Sequence, residues 1–276
     1  MAVVAPWTEH VQLGRSGLDV SRIGVGSGYG IDAKSVERAF HEHGINYFYP
    51  SIPRRGKMNA GIRDLAAKHR SEIVVVSQTY DHFGFWVPGS IEKHIRAMGL
   101  DYVDVLLLGW FNHFPNARIM EGALKLKEEG KVRAIAMSGH HRPTFGEMAE
   151  DPNCPVDIFM IRYNAVHKGA ERDIFPHMPA EDRPGNSTYT TTCWGKLLKP
   201  GLMPPGEMPL APGDCYRFVL SNPNVDMCLC GPGNWEQLRT AIQALEKGPM
   251  SDDELERARR IGDHIHGKGS LVPMHQ

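Results

Sequence analysis

The sequence predicts an α/β protein: one (β/α)8, or TIM, barrel over residues 1–276, with an N-terminal β-hairpin and an extra C-terminal helix. Three observations carry this expectation. Eight short β-rich runs alternate with amphipathic stretches, the pattern of βα units on a parallel sheet. Two of those runs, IVVVS at 73–77 and VDVLLL at 103–108, are nearly continuously apolar, as strands buried on both faces are. The chain of 276 residues also has the length that one barrel of about 250 residues uses with small additions.

The elements follow in order. Apolar pieces at 11–13 and 18–20 flank GRSG, a hairpin signal. Strands are expected at 23–26, 45–48, 73–77, 103–108, 132–137, 156–161, 188–193 and 225–230. Helical patterns at 33–43, 57–68 and 90–98 fill the first gaps, and one at 117–129 stops at Gly130. A last helix starts at Ser251, where SDDE supplies an N-cap and an acidic first turn. The Pro- and Gly-rich stretch 197–212 reads as a long loop over one end of the barrel.

Composition narrows the partners. The 31 basic and 32 acidic side chains leave a net charge of −1, with no run of one sign. Nucleic acid and anionic membrane surfaces are therefore not expected as partners, and a small-molecule substrate is. The first residues, MAVVAPWTEHVQLG, lack the basic start and apolar run of a signal peptide. Five cysteines without a CxxC argue against a disulfide framework or structural zinc, so the expected location is cytoplasmic.

Several stretches, in order, resemble the aldo-keto reductase superfamily: LGRSGLDVSRIGVGSG, AFHEHGINYF, GLDYVDVLLLGW, GKVRAIAMSG, IRYNAVHKGAE and VLSNPNVD with GPGNWEQL. The resemblance implies the barrel and, in ordinary members, NAD(P)H-dependent carbonyl reduction. It also implies where the proton-transfer residues should stand, and this chain departs there. Tyr49 occupies the place of the catalytic Asp, and Arg54 or Arg55 that of the Tyr. Ser77-Gln78-Thr79 stands where the family's strand ends Ser-Thr-Lys, so Thr79 takes the place of the Lys, and Gly109 that of the His. The nicotinamide-holding positions read Gly139 and Met160, and the nucleotide-gripping cation aligns with Gly233. The sequence thus reads as a divergent member lacking the catalytic tetrad, with NAD(P) binding doubtful. A phenol with an ordinary pKa of about 10 needs a neighbouring ammonium to donate a proton at neutral pH.

The predicted strand ends carry other chemistry. Tyr80, Asp81 and His82 follow the third strand, and Trp110, Asn112 and His113 the fourth. His140 and His141 follow the fifth, and Arg162, Tyr163, Asn164 and His167 the sixth. Tyr49, His82, His113 and His140 are the candidate catalytic groups. Arg54, Arg55, Tyr80, Trp110, Tyr163 and Asn164 are the candidate substrate contacts. Three imidazoles from different strands could also hold a divalent transition metal, drawn from His82, His113, His140, His141 and His167. No spacing motif supports that set, and scattered loop histidines more often line a polar pocket. Phe83, Phe85, Trp86, Trp110, Phe111, Phe114 and Trp194 could wall an apolar site. The expected function is an enzyme with non-reductase chemistry on a small anionic or aromatic molecule. The alternatives are an oxidoreductase with relocated catalytic groups and a non-catalytic binding protein.

Overall fold

The structure, a computed structural model, describes residues 6–50, 56–84 and 86–268. A two-stranded antiparallel hairpin, β1 (Val11–Gln12) and β2 (Asp19–Val20), opens the chain. Eight parallel strands then close on themselves. They are β3 (Ile23–Gly26), β4 (Tyr47–Tyr49), β5 (Val74–Thr79), β6 (Val103–Leu108), β7 (Val132–Ser138), β8 (Ile158–Arg162), β9 (Gly185–Tyr189) and β10 (Met227–Cys230). Each pairs with its sequence neighbour, and β10 pairs with β3 to complete the ring. The outer layer holds α1 (Ala33–His43), α2 (Lys57–His69), α3 (Val87–Met98), α4 (Ala117–Glu128), α5 (Arg142–Glu150), the short α6 (Ala170–Asp173), α7 (Pro212–Leu220) and α8 (Trp235–Lys247). The extra helix α9 (Asp252–Lys268) ends the described chain.

Side-chain alternation along each strand builds two separate cores. Inside the barrel sit Tyr47, Val74, Val76, Val105, Leu107, Ala134, Ala136, Ile158, Met160, Met227 and Leu229. The hairpin adds Leu13, Leu18 and Val20 to this cluster and plugs its N-terminal end. The alternate residues, among them Phe48, Val75, Leu106, Ile135 and Phe159, pack outward under the helices. Gly24 is required here, because a Cβ at that position would lie 2.7 Å from the Tyr47 ring inside the barrel.

One expected strand is displaced. The seventh barrel strand is Gly185–Tyr189, not 188–193. Thr190 leaves the sheet at φ 58°, and the chain then turns through Cys193, Trp194 and Gly195, all at positive φ. The stretch expected as one long loop contains two 3-10 turns, Lys196–Leu198 and Pro200–Leu202. Among the described residues no helix is long and apolar enough to cross a membrane.

Candidate active site

The inward face of each strand, extended upward past the packed core, sets the mouth of the barrel. Tyr47 leads to Tyr49, Val76 to Gln78, Ala136 to Ser138, and Ile158 and Met160 to Arg162. Tyr189 pairs in register with Arg162 across β8 and β9. A cavity of about 470 Å³ opens above this layer. Among the described residues lining it, none is Asp, Glu, Lys or Arg. Its walls are aromatic: Tyr29, Tyr49, Tyr80, Trp110, Tyr189 and Trp194. The polar remainder includes Gln78, Ser138, His140 and the threonines at 190–192.

The backbone around the cavity is strained. Five described non-glycine residues have positive φ, and four of them, Trp110, Thr190, Cys193 and Trp194, lie at the mouth. A positive φ is most costly for a bulky or β-branched residue, so Trp110 at 64° and Thr190 at 58° must be held by their surroundings. The holding groups are visible. The Trp110 amide donates to Ser138 Oγ at 3.4 Å, and the next amide, Phe111, to the Ser138 carbonyl at 2.8 Å. The Thr190 carbonyl accepts from Asn164 Nδ2 at 2.9 Å.

Two polar centres face the cavity. Tyr49 donates its hydroxyl hydrogen to Gln78 Oε1. Burial pushes the Tyr49 phenol well above its ordinary value, and the neighbouring phenols of Tyr80, Tyr47 and Tyr189 push the same way. At the other centre, Trp110 Nε1 donates to His140 Nε2 at 3.1 Å. Burial lowers the His140 pKa, and the Arg162 guanidinium lowers it further. His140 is therefore neutral at pH 7. Because Nε2 accepts, the ring proton sits on Nδ1.

Two glycines show how tightly neighbouring groups pack around the mouth. A Cβ on Gly109 would overlap Gln78 Nε2 and lie 2.8 Å from the Tyr80 ring. A Cβ on Gly139 would overlap the Phe111 carbonyl oxygen. That loop is pinned by Asn112 Oδ1, which accepts from the amides of His140 and His141 at 2.8 and 3.1 Å.

Of the residues expected at the site, Tyr49, Tyr80, Trp110 and His140 reach the cavity. Tyr163 and Asn164 do not. Tyr163 is fully buried, donates to Glu171 at 2.6 Å and packs on Phe175 and Phe218. Asn164, also buried, accepts from the amides of Val166 and His167 and so shapes its own turn. Both are structural because the chain turns away from the mouth after Arg162. Arg54, Arg55 and Phe85 lie outside the described residues.

The histidines do not converge. His82 stacks on Phe111 at 4.2 Å, His113 is exposed away from the cavity lining, and His141 bonds Thr144. His167 lies beside Trp194, whose ring is 6.1 Å away. Among the described residues no three His, Cys, Asp or Glu side chains are placed to hold a metal ion. The aromatic wall is made by Trp110 and Trp194 together with tyrosines. Phe83, Trp86 and Phe114 are exposed outside the lining, and Phe111 is buried behind it. Gln78, Tyr189 and the threonines were missed. Gln78 stands one residue before the missing Lys and carries no signal of its own in the sequence, and the others follow from the displaced strand.

A nicotinamide dinucleotide needs an anion-binding turn, and the turn after β10 does not fit one. The Gly233 amide donates to Gln237 Oε1 at 2.7 Å and the Gln237 amide to Asn234 Oδ1 at 3.0 Å, so α8 caps its own N-terminus. Its first cation, Arg239, is paired with Glu236 at 2.6 Å. Tyr29 covers the same turn, with ring atoms 3.1 Å from where a Gly231 Cβ would stand.

Comparison with known proteins locates this barrel. The family model described as "Aldo/keto reductase family" matches residues 33–186. Among solved structures, the holo form of the aldo-keto reductase AKR11C1 from Bacillus halodurans superposes with a TM-score of 0.75 at 18% identity, covering 92% of this chain and 96% of that one. Its apo form gives 0.71 at 17% identity, covering 92% and 95%. At that identity the likeness speaks for the fold.

Proposed function

Because this chain belongs to the aldo/keto reductase family, we propose that it is an enzyme that uses the family's barrel for proton-transfer chemistry rather than nicotinamide-dependent carbonyl reduction. Its substrate is a small planar molecule, aromatic and carbonyl-bearing, held in the mouth cavity.

The observation that carries this reading is the filling of the mouth beside Gly109. Gln78 Nε2 and Tyr80 occupy the space that a side chain on Gly109 would need. A reductase site with missing parts would leave a gap at that place. Here neighbouring groups close it, so the cavity is shaped for something else. The self-capped turn after β10 weighs in the same direction.

The residues divide the work. Every influence on Tyr49 raises its pKa, so it stays a phenol and serves as a donor that fixes the Gln78 amide. Among the described lining residues, His140 is the only group whose ordinary pKa lies near neutrality. As a neutral imidazole it can give a proton from Nδ1, and it can take one at Nε2 when the substrate displaces the Trp110 N–H from that lone pair, a contribution of about 10²–10⁴-fold in general acid–base catalysis. Trp110 and Trp194 supply flat apolar faces that exclude water and orient a ring. The proton in question is one on the carbon next to the carbonyl, which an imidazole can remove.

The test uses acetophenone and NADPH as probes. Acetophenone should quench tryptophan fluorescence saturably, and NADPH should not. In D2O the wild type should wash deuterium into the ketone methyl group above the buffer rate. His140→Gln should lose at least about 10²-fold of that rate while still binding the ketone. Saturable NADPH binding with NADPH consumption on addition of the ketone would overturn the reading.

A further inference from the structure

Around His167, whose ring lies 6.1 Å from that of Trp194, is a second cavity of about 530 Å³ with the reverse chemistry of the first. Its lining includes Arg142, His167, Lys168, Arg172 and His266. The carboxylates around it are already committed. Asp173 is shared by Arg142 and Arg172 at 2.8 and 2.6 Å, Asp263 holds Lys168 at 2.5 Å, and Glu171 holds Arg259 at 2.8 Å.

Two more cations stand at its border without such partners: Arg162 shares a narrow cleft with Arg142, and Lys196 acts on His167. Arg162, from β8, has its guanidinium 5.9 Å above the Trp194 ring. Lys196 stands two residues past Trp194. Both are half-buried, and neither forms an ion pair among the described residues. Half-buried cations ordinarily find a counter-charge, because partial desolvation penalises the bare ion.

His167 marks where their fields meet. Burial lowers its pKa most, and Arg162, His266, Lys196 and Arg142 add to the effect, bringing it down to about 4. Its imidazole is thus a neutral hydrogen-bond partner at the focus of a positive field. The place is also rigid. Asn164, completely buried, accepts from the His167 amide and donates to the Thr190 carbonyl, tying the loop after β8 to the loop after β9. Arg142 lies directly over Gly169, where a Cβ would overlap the guanidinium.

We propose that Arg162, Lys196, His167 and Arg142 form an oxyanion site for a phosphate group, beside Trp194 of the mouth cavity. The site stands apart from the chemistry assigned to the mouth, since its ligand is recognised by charge and not by a planar apolar surface. A phosphate would neutralise the two unpartnered cations and accept a hydrogen bond from the His167 ring.

The test is calorimetric titration of the full chain with inorganic phosphate, in chloride at matched ionic strength. One saturable site per chain is expected. Arg162→Gln and Lys196→Gln should each weaken it at least tenfold, and Lys196→Arg should restore most of the affinity. Gly169→Ala, which displaces Arg142 while keeping every charge, should weaken it less. Lys125→Gln, on the distant face of α4, should leave it unchanged. Thermal unfolding in chloride separates a variant that fails to fold from one that fails to bind. Unsaturable heats, or wild-type affinity in the two Gln variants, would overturn the proposal. A phenyl phosphate arm identifies the ligand. Tighter binding than phosphate, with quenching of Trp194, means that the ring enters the mouth cavity and one molecule spans both. Equal affinity means a free-standing anion site.

Discussion

The two ends of this barrel use the same eight strands and treat charge in opposite ways. At the N-terminal ends, three aspartates repeat one device. Asp104, fully buried, accepts from Arg70 and Arg133, both at 2.9 Å, and from the Val75 amide of the next strand at 2.9 Å. Asp157 takes Lys127 at 2.7 Å and the Ile135 amide at 2.8 Å. Asp226 takes Arg183 and the Asn186 amide, the latter at 2.8 Å. Each carboxylate caps a neighbouring strand and is neutralised in place. The mouth has no such lock. Its described lining lacks ionic side chains, its turns are strained, and its nearest cations, Arg162 and Lys196, have no acidic partner among the described residues. One end is built to hold and the other to receive.

The largest effect should come from breaking the lock. Asp104→Ala leaves two arginines and one amide without their acceptor. Removing one member of a buried pair costs about 3–5 kcal/mol. Denaturant unfolding should show that loss for Asp104→Ala and less than about 1 kcal/mol for Trp110→Ala, whose ring is largely exposed. Equal costs at the two ends would dissolve the contrast.

The next effect is read against pH. The His167 pKa is about 4 in the fold and about 6.5 in the unfolded chain. Between those values the unfolded chain binds more protons, so stability falls as pH drops below about 6.5, and the loss is complete below about 4. The ring is partly solvent-exposed, so screening reduces the loss to about 1–2 kcal/mol. His167→Gln should remove this part of the pH dependence. The charged and titratable groups acting on it are Arg162, His266, Lys196 and Arg142. A pH profile unchanged in the variant would place the low pKa elsewhere.

A smaller effect tests whether the strain serves the site. Thr190 at φ 58° pays for its conformation, and glycine would relax it. Thr190→Gly should therefore stabilise the fold by about 0.5–1 kcal/mol while weakening binding of an aromatic probe in the cavity. Destabilisation instead would mean that Thr190 is held there by favourable packing.

The sequence exposed the fold through its most apolar strands and hid the site where local propensity misled. Residues 103–108 form β6 as expected, because a continuous apolar run has one place to go in a barrel. The Thr-rich run at 188–192 has high strand propensity, yet the sheet ends at Tyr189. The true strand begins on Gly185, beside Leu13, where only a residue without a side chain fits. That three-residue shift concealed Tyr189 and Thr191. Tyr49, Tyr80, Trp110 and His140 were legible because their strand ends were nearly right. The histidine cluster was not, since residues that follow successive strands share a rim without sharing a point. His82 is drawn to Phe111 and His140 to Trp110 by aromatic contacts that no spacing rule reveals.

The smallest change in stability carries the finest information about the mouth. Trp110→Phe removes one partly exposed N–H···N bond to His140, worth under about 1 kcal/mol. Yet that bond fixes the ring proton on Nδ1. Burial and Arg162 remain in the variant, so the imidazole pKa should stay below its ordinary value there too. Nitrogen-15 chemical shifts of the ring should report Nδ1–H alone in the wild type and a mixture of tautomers in the variant. If the wild type already showed a mixture, Trp110 would be a wall and no more. If the tautomer were fixed and the variant released it, a strained tryptophan whose fold-stabilising value is nearly nothing would be what sets the tautomer of His140.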